Sequence, residues 1–415
     1  MALLVQKYGG TSIADAARIR HVAARIVRCR EAGNDVAVVV SAMGETTDEL
    51  IELARSIAVS PDPRELDLLL STGELVSCTL MAMAVRELGV DAVSMSGAQA
   101  GIRTDTAHGR ASIVALDPKR VRRELDAGRT VIIAGFQGTT EDMDVTTLGR
   151  GGSDTTAVAL AAALKAERCE VYTDVSGIYT ADPRVVPDAR QLSEIGYEEM
   201  LELASYGAKM HPRAIELAAW YRVPVLVASS AEEGPGTLIH DLDTPTGGEM
   251  ASLGEMEARN RVSGVTYERG IARITVRAVP DRPGIVASLF EPLGEANVSV
   301  DTIVQNASAD RLTDVSFTVA KTDAAAALEI SRRVAGEIGA AECVSDTDLG
   351  AVTIVGTGMQ NAPGYASRMF RTLADAGINI EMITTSQIRI TCIVVEAQLD
   401  DAVRVLHAAF ELDKA

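Results

Sequence analysis

Along roughly the first 240 residues, short Val- and Ile-rich runs alternate with longer stretches in which apolar and polar positions recur at helical spacing. That alternation predicts strands joined by crossover helices in a mostly parallel sheet. The strand candidates are residues 3–6, 36–41, 92–95, 130–134, 170–173 and 223–227. Several are apolar at nearly every position, as strands covered by helices on both faces must be. The first, second and fourth run into the glycine-containing turns YGGTS, SAMG and AGFQG. Ligands of open α/β sheets bind just beyond the carboxyl ends of the strands, so candidate chemistry is sought there.

The periodicity lapses over 241–264, a stretch rich in Asp, Glu, Thr, Ser and Gly that reads as a linker. Beyond it lies an internal repeat at constant offset: Pro283 matches Pro363, Gly284 matches Gly364, Phe290 matches Phe370, Leu293 matches Leu373, Val300 matches Ile380 and Asp301 matches Glu381. Each copy reads strand, Pro-Gly turn, helix, strand, strand, helix, the pattern of a small open sheet with helices on one face. The second copy ends without a clear last strand, whereas VSGVTY at 262–267 stands ahead of the first as a spare one. An exchange of a terminal strand between the copies is therefore expected. The domain plan is 1–240, a linker at 241–264, and modules at 265–346 and 347–415.

Composition narrows the function classes. A chain of 415 residues that is 47% hydrophobic and 23% charged is globular and holds more than one core. Aromatics are only 3%, so Val, Ile, Leu and Ala fill the interior. A net charge of −19 weighs against nucleic acid and anionic membrane surfaces as partners. The five cysteines form no CxxC pair and the five histidines have no metal-ligand spacing, so neither disulfides nor a protein-held metal is expected. With no apolar h-region at the start and no apolar run near the roughly 20 residues of a membrane span, the expected compartment is the cytoplasm.

Two segments carry chemistry. Lys7-Tyr8-Gly9-Gly10-Thr11-Ser12 follows the first strand and precedes a helix. A glycine pair there lets backbone approach a phosphate, and Lys7 supplies a charge for phosphoryl oxygens. Leu148-Gly149-Arg150-Gly151-Gly152-Ser153-Asp154 opens another helix, placing Ser153 and Asp154 at its start and offering Arg150 as a forked partner for a carboxylate.

Together with SAMG at 41–44, LSTGE at 70–74, QAG at 99–101, AGFQG at 134–138 and TDVSGIYTADPR at 173–184, these segments resemble the aspartokinase branch of the amino-acid kinase family over essentially the whole chain. The resemblance implies an α/β amino-acid kinase fold, an αβα sandwich, followed by two ACT-type α+β modules of ferredoxin-like form. It implies ATP with Mg2+ carried on the nucleotide, and phosphorylation of the side-chain carboxylate of L-aspartate at the opening of lysine, threonine and methionine synthesis. By the same resemblance Lys7 and Lys209 flank the transferring phosphoryl group and Asp154 orients the cluster. Glu74 takes the substrate ammonium, Arg150 its carboxylate, and Thr11, Ser41 and Ser153 line the substrate path. Gly9, Gly10, Thr173, Asp174, Tyr179 and Arg184 join the two lysines at the nucleotide. In the repeats, Asp281, Pro283, Gly284, Gln305 and Asn306, and then Asn361, Pro363 and Ser386, resemble effector loops for lysine, threonine or both. The ACT modules imply a homo-oligomer. Met250 and Met256 are placed where a shorter regulatory subunit could begin.

Three departures from the family pattern stand out. Ser176 replaces a usual Asp, one residue instead of two separates Lys209 from His211, and Ala228 stands where an Arg commonly precedes Ser229-Ser230. His211 itself reads as structural. The rival readings are another carboxylate-directed amino-acid kinase and a catalytically weak amino-acid sensor.

Overall fold

The computed structural model describes residues 2–242, 262–305, 311–359 and 363–414. Most of the expected linker, with Met250 and Met256, and both Asn306 and Asn361 lie outside them. The described chain divides into two units, 2–179 with 191–242, and 180–190 with 262–414.

In the first unit the elements in chain order are β1 (Leu3–Tyr8), α1 (Ala16–Glu31), β2 (Asp35–Val40), α2 (Thr46–Ile57), α3 (Pro63–Glu87), β3 (Ala92–Met95), β4 (Ile102–Thr104), β5 (Ile113–Leu116), α4 (Lys119–Asp126), β6 (Thr130–Ala134), β7 (Gln137–Thr139) and β8 (Val145–Thr147). They continue with α5 (Gly152–Leu164), β9 (Arg168–Thr173), β10 (Glu194–Gly196), α6 (Tyr197–Ser205), α7 (Pro212–Tyr221), β11 (Val225–Ser229) and β12 (Thr237–His240). The main sheet has the order β10-β12-β11-β9-β1-β2-β6-β3, and the six strands from β11 to β3 are mutually parallel. Alternation along the strands divides the core. Val36, Val38 and Val40 pack with Ile19, Val22 and Ile26 of α1 and Met81 and Val85 of α3. Ala37 and Val39 occupy the opposite face, where α4 and α5 pack.

Every strand expected from the sequence is present, shifted by at most two residues at either end. The second, four-stranded sheet β5-β4-β7-β8 was not anticipated, because β4, β7 and β8 are three residues long and leave no readable period, and β5 is exposed at its two middle positions. Helix α3 also departs from expectation: by length and composition it could cross a membrane. Its buried side, with Asp67, Ser71, Glu74 and Ser77 among the apolar residues, instead packs in the core of the first unit.

The second unit contains β13 (Gly264–Pro280), α8 (Ile285–Glu295), β14 (Val300–Gln305), β15 (Leu312–Ala320), α9 (Ala324–Ile338), β16 (Glu342–Val355), α10 (Tyr365–Asp375), β17 (Met382–Thr385), β18 (Arg389–Val395) and α11 (Leu399–Ala409). One six-stranded sheet runs β14-β15-β13-β16-β18-β17. The start of β13 pairs with the end of β16, Gly264 with Val355 through Glu268 with Ala351, and the rest of β13 pairs with the start of β16, Ile271 with Leu349 through Arg277 with Glu342. Each repeat copy thereby acquires four strands, the second taking its outer one from residues 264–268, ahead of the first copy. Two cores result, one around Phe317 and Leu293, the other around Leu373 and Leu406.

The segment Thr180–Arg190, inside the range 1–240 expected for the catalytic domain, packs with this second unit. Ala181, Val185 and Val186 join the core of the second copy. Thr180 Oγ1 bonds His407 Nε2 at 2.9 Å, the Val265 N–H donates to Thr180 O at 2.7 Å, and Arg190 Nε donates to Leu412 O at 3.1 Å.

Candidate active site

The parallel strands β1, β2, β6 and β9 all end at one edge of the sheet, and the turns that follow them meet there. Lys7, near the end of β1, ion-pairs with Asp154 in the first turn of α5, Nζ to Oδ1 2.6 Å, with both side chains largely shielded from solvent. Helix α5 starts after Gly151 with no side-chain cap, which leaves its positive end open to an anion. Ser153 is buried beside Gly135, just past β6. Gly10 must lack a side chain, because a Cβ there would lie 2.7 Å from the Ala42 carbonyl oxygen. The turns after β1 and β2 can therefore touch, and the Gly44 N–H donates to Gly10 O at 3.1 Å.

Helix α3 brings Glu74 to the same edge. The Ala42 N–H donates to Glu74 Oε1 at 3.1 Å, and the Ser77 hydroxyl donates to Ser41 O at 2.6 Å. Glu74 is 3% exposed and its Oε2 has no partner among the described residues. Burial pushes its carboxyl up from 4.5 to about 7, against the lowering pull of the backbone N–H groups. A half-satisfied carboxylate in that position is poised to receive a cation. Thr11 and Arg150 are exposed on the turns around it.

At the end of β9, Asp174 receives the Thr173 hydroxyl at 2.9 Å and pairs with Lys209 Nζ at 3.0 Å. Burial alone would raise the Asp174 carboxyl, but Lys209 and Thr173 hold it below the usual range. Tyr179 pairs with Gln191 in the first unit. Arg184 lies in the segment that packs with the second unit, where it forks onto Asp182, Nη2 to Oδ2 2.7 Å. Among the described residues no group of three or more His, Cys, Asp or Glu side chains is placed to hold a metal ion.

In the second unit, Asp281, Pro283 and Gly284 link β13 to α8, and Gln305 ends β14. Both strands run antiparallel to β15, so these residues share one edge of the sheet. Pro363 and Gly364 precede α10, and Ser386 follows β17, in the equivalent places of the second copy.

Comparison with known proteins bears on the whole chain. The amino acid kinase family matches residues 2–229, and ACT domains match 272–336 and 352–410. An aspartate kinase of Stutzerimonas stutzeri is 50% identical over 416 residues, covering 100% of this chain and 98% of its own. The chain belongs to the aspartokinases of the amino acid kinase family. It is thus an aspartate kinase with C-terminal ACT domains. E. coli aspartokinase III in complex with aspartate and ADP (R-state) is similar over 99% of this chain and 100% of its own, with a TM-score of 0.81 at 26% identity. The same enzyme in complex with lysine and aspartate (T-state) is similar over 98% of this chain and 99% of its own, with a TM-score of 0.74 at 26% identity.

Against that aspartokinase background, the shortened turn at Lys209 has a visible price. Met210, alone between Lys209 and His211, sits at φ +137°, a backbone region that side chains rarely adopt. The His211 ring lies against Gly151, where φ is +69° and a Cβ would fall 2.2 Å from the ring, so only glycine fits. Ala228 is buried in the core with Tyr8 and Tyr172, while Arg25 of α1 stacks 4.1 Å from the Tyr172 ring and donates to Ser229 O at 3.0 Å. The Ser176 carbonyl accepts from Gln191 Nε2 at 2.8 Å. Sequence reasoning missed Asp67 and Arg213. Arg213 donates to Ala111 O at 3.1 Å and Leu148 O at 3.4 Å, tying down the turn that carries Arg150. The available signal for Asp67 was its spacing, two helical turns before Glu74.

Proposed function

We propose that this site transfers the γ-phosphoryl group of ATP to the side-chain carboxylate of L-aspartate, giving 4-phospho-L-aspartate and ADP. The observation that carries the reading is the pairing of a buried, half-satisfied Glu74 with the Lys7–Asp154 pair along one sheet edge. Glu74 receives the substrate ammonium and Arg150 its α-carboxylate, which leaves the side-chain carboxylate facing Lys7. Lys7 and Lys209 neutralise the phosphoryl oxygens as charge spreads over them, and the open N-terminus of α5 adds backbone donors. Asp154 and Asp174 hold the two lysines in place until the nucleotide arrives. A carboxylate nucleophile brings no proton to remove, so the absence of a histidine base in this scheme costs nothing. Mg2+ bound with the nucleotide phosphates would supply further neutralising charge there.

The same reading takes the reaction as the entry to lysine, threonine and methionine synthesis, with lysine, threonine or both acting at the ACT loops. Aspartokinase III, 26% identical, was crystallised with lysine. The sheet edges at β14 and β17 fit self-association through the second unit.

The test is ATP consumption with aspartate, glutamate and N-acetylglutamate side by side, trapping the acyl phosphate with hydroxylamine, with and without each effector. Aspartate-specific hydroxamate is expected. Turnover on glutamate or N-acetylglutamate in its place would move the assignment to another carboxylate kinase, and amino-acid binding without turnover would leave only a sensor.

A further inference from the structure

Asp67 plays no part in the chemistry above, yet it is 1% exposed in the first unit. It lies on α3 two turns before Glu74 and therefore on the same side of the helix. A carboxylate at that depth is costly unless donors surround it. They do: Oδ2 accepts from His108 Nδ1 at 3.0 Å, the Gly109 N–H at 2.9 Å and the Thr147 N–H at 3.0 Å, while Oδ1 accepts from the Gly109 N–H at 3.0 Å and the Thr147 hydroxyl at 2.6 Å. Opposite a carboxylate, His108 must carry its proton on Nδ1.

These donors come from two places. His108 and Gly109 lie between β4 and β5, and Thr147 ends β8, three residues before Arg150. Gly149 packs against the Gly109 carbonyl, so the two segments also touch each other. Arg213, the cation at the start of α7, donates to a carbonyl in each of them, Ala111 O and Leu148 O. The turn bearing Arg150 is thus fastened at its root by a buried anion and, through other carbonyls, by a cation.

We propose that Asp67, together with His108, is a positioning residue for Arg150: it fixes the turn from which the guanidinium reaches the substrate, and so sets the affinity for aspartate without touching it. The proposal rests on the reading of Arg150 as the partner of the substrate carboxylate. Asn in place of Asp67 would turn an amide N–H₂ toward donors that need an acceptor, and the turn would have to be ordered by substrate binding. Lys7 and Asp154 sit on other elements, so the chemical step should be spared.

Steady-state kinetics on the full chain test this, with Asp67→Asn, His108→Leu, His108→Asn and Arg150→Ala, each checked for folding by thermal melting. Asp67→Asn and His108→Leu are expected to raise the KM for aspartate about tenfold, while kcat and the KM for ATP move less than about threefold. His108→Asn keeps a donor where Nδ1 stood and should recover most of the loss. Should Asp67→Asn fail to fold, the two His108 variants carry the test. A lowered melting temperature in His108→Leu with aspartate KM unchanged would reduce the cluster to a structural one and overturn the proposal. If Arg150→Ala leaves aspartate KM unchanged, the substrate reading itself fails and takes the proposal with it. If Arg150→Ala raises it and both clamp variants do not, only the clamp is wrong.

Discussion

Glu74 has one oxygen on the Ala42 N–H and the other without a partner among the described residues, and its carboxyl is pushed by burial to about 7. Its proton binding and its substrate binding are therefore opposed. An ammonium ion is held by the ionised form, so below about pH 7 the site must release a proton before aspartate binds. Aspartate KM should rise about tenfold between pH 8 and pH 6 in wild type, and a flat profile would remove Glu74 from the substrate. Stability runs the other way. The fold binds more protons than the unfolded chain between 4.5 and about 7, so the stability Glu74 contributes in its neutral form is lost as pH rises through about 7. Glu74→Gln keeps the shape without the charge. At pH 8 the empty variant should be the more stable, by up to about 3 kcal/mol in denaturant titrations, with the gap closing by pH 5 and with aspartate binding lost throughout. Lys7 gives the complementary case. Its charge serves the transferring phosphate, so Lys7→Ala should lower kcat roughly 10²–10³-fold with a smaller change in aspartate KM, and near-normal turnover would sink the assignment.

At the scale of elements, how much could be read in advance depended on length. Strands β1, β2, β6, β9 and β11 are five or six residues long and buried at most positions, so their apolar runs and glycine turns were legible, and β3 was read at four residues. The three-residue strands of the smaller sheet and the half-exposed β5 were not, and with them went the partners of Asp67, whose donors are a histidine, a threonine hydroxyl and backbone N–H groups that no motif announces. The turn between α6 and α7 was legible only as one residue too few; the structure shows where the missing length went. Met210 takes φ +137° so that Lys209 can reach Asp174 while His211 packs on Gly151. Such a conformation costs on the order of 1–3 kcal/mol in a side-chain-bearing residue. Met210→Gly should therefore leave the melting temperature unchanged or raise it, against the usual loss from a new glycine. If the strain also serves to aim Lys209, kcat will fall in the same variant while aspartate KM holds; a drop in melting temperature would show that the Met210 side chain matters more than its backbone.

For the whole molecule, the sequence order and the spatial order part at residues 180–190. Residues 180–190 close a motif whose earlier part, Thr173 to Tyr179, lies in the first unit, yet they are built into the second. Periodicity could not reveal this, because the segment has neither a helical nor a strand period, and its anchors are three apolar side chains and a few hydrogen bonds to partners far along the chain. Thr180, 1% exposed, holds two of them, its hydroxyl meeting His407 Nε2 and its carbonyl receiving the Val265 N–H, while the hydroxyl also receives the Arg190 N–H within the segment. His407 is buried too, and burial keeps it below its usual 6.5 despite Asp413 and Asp188, so the stability it contributes is present above 6.5 and lost as pH falls through its folded value. Thr180→Val keeps the shape and removes the hydroxyl, leaving the Arg190 N–H and the imidazole without their partner. The cost should be about 1–3 kcal/mol at pH 7.5. Its location is the discriminating point: although the substitution falls within the kinase-motif stretch of sequence, amide hydrogen exchange should quicken in β13 and α11 and stay unchanged in β1 and β2. Faster exchange confined to β1, β2 and β9 would mean that this segment belongs energetically to the first unit, whatever it packs against.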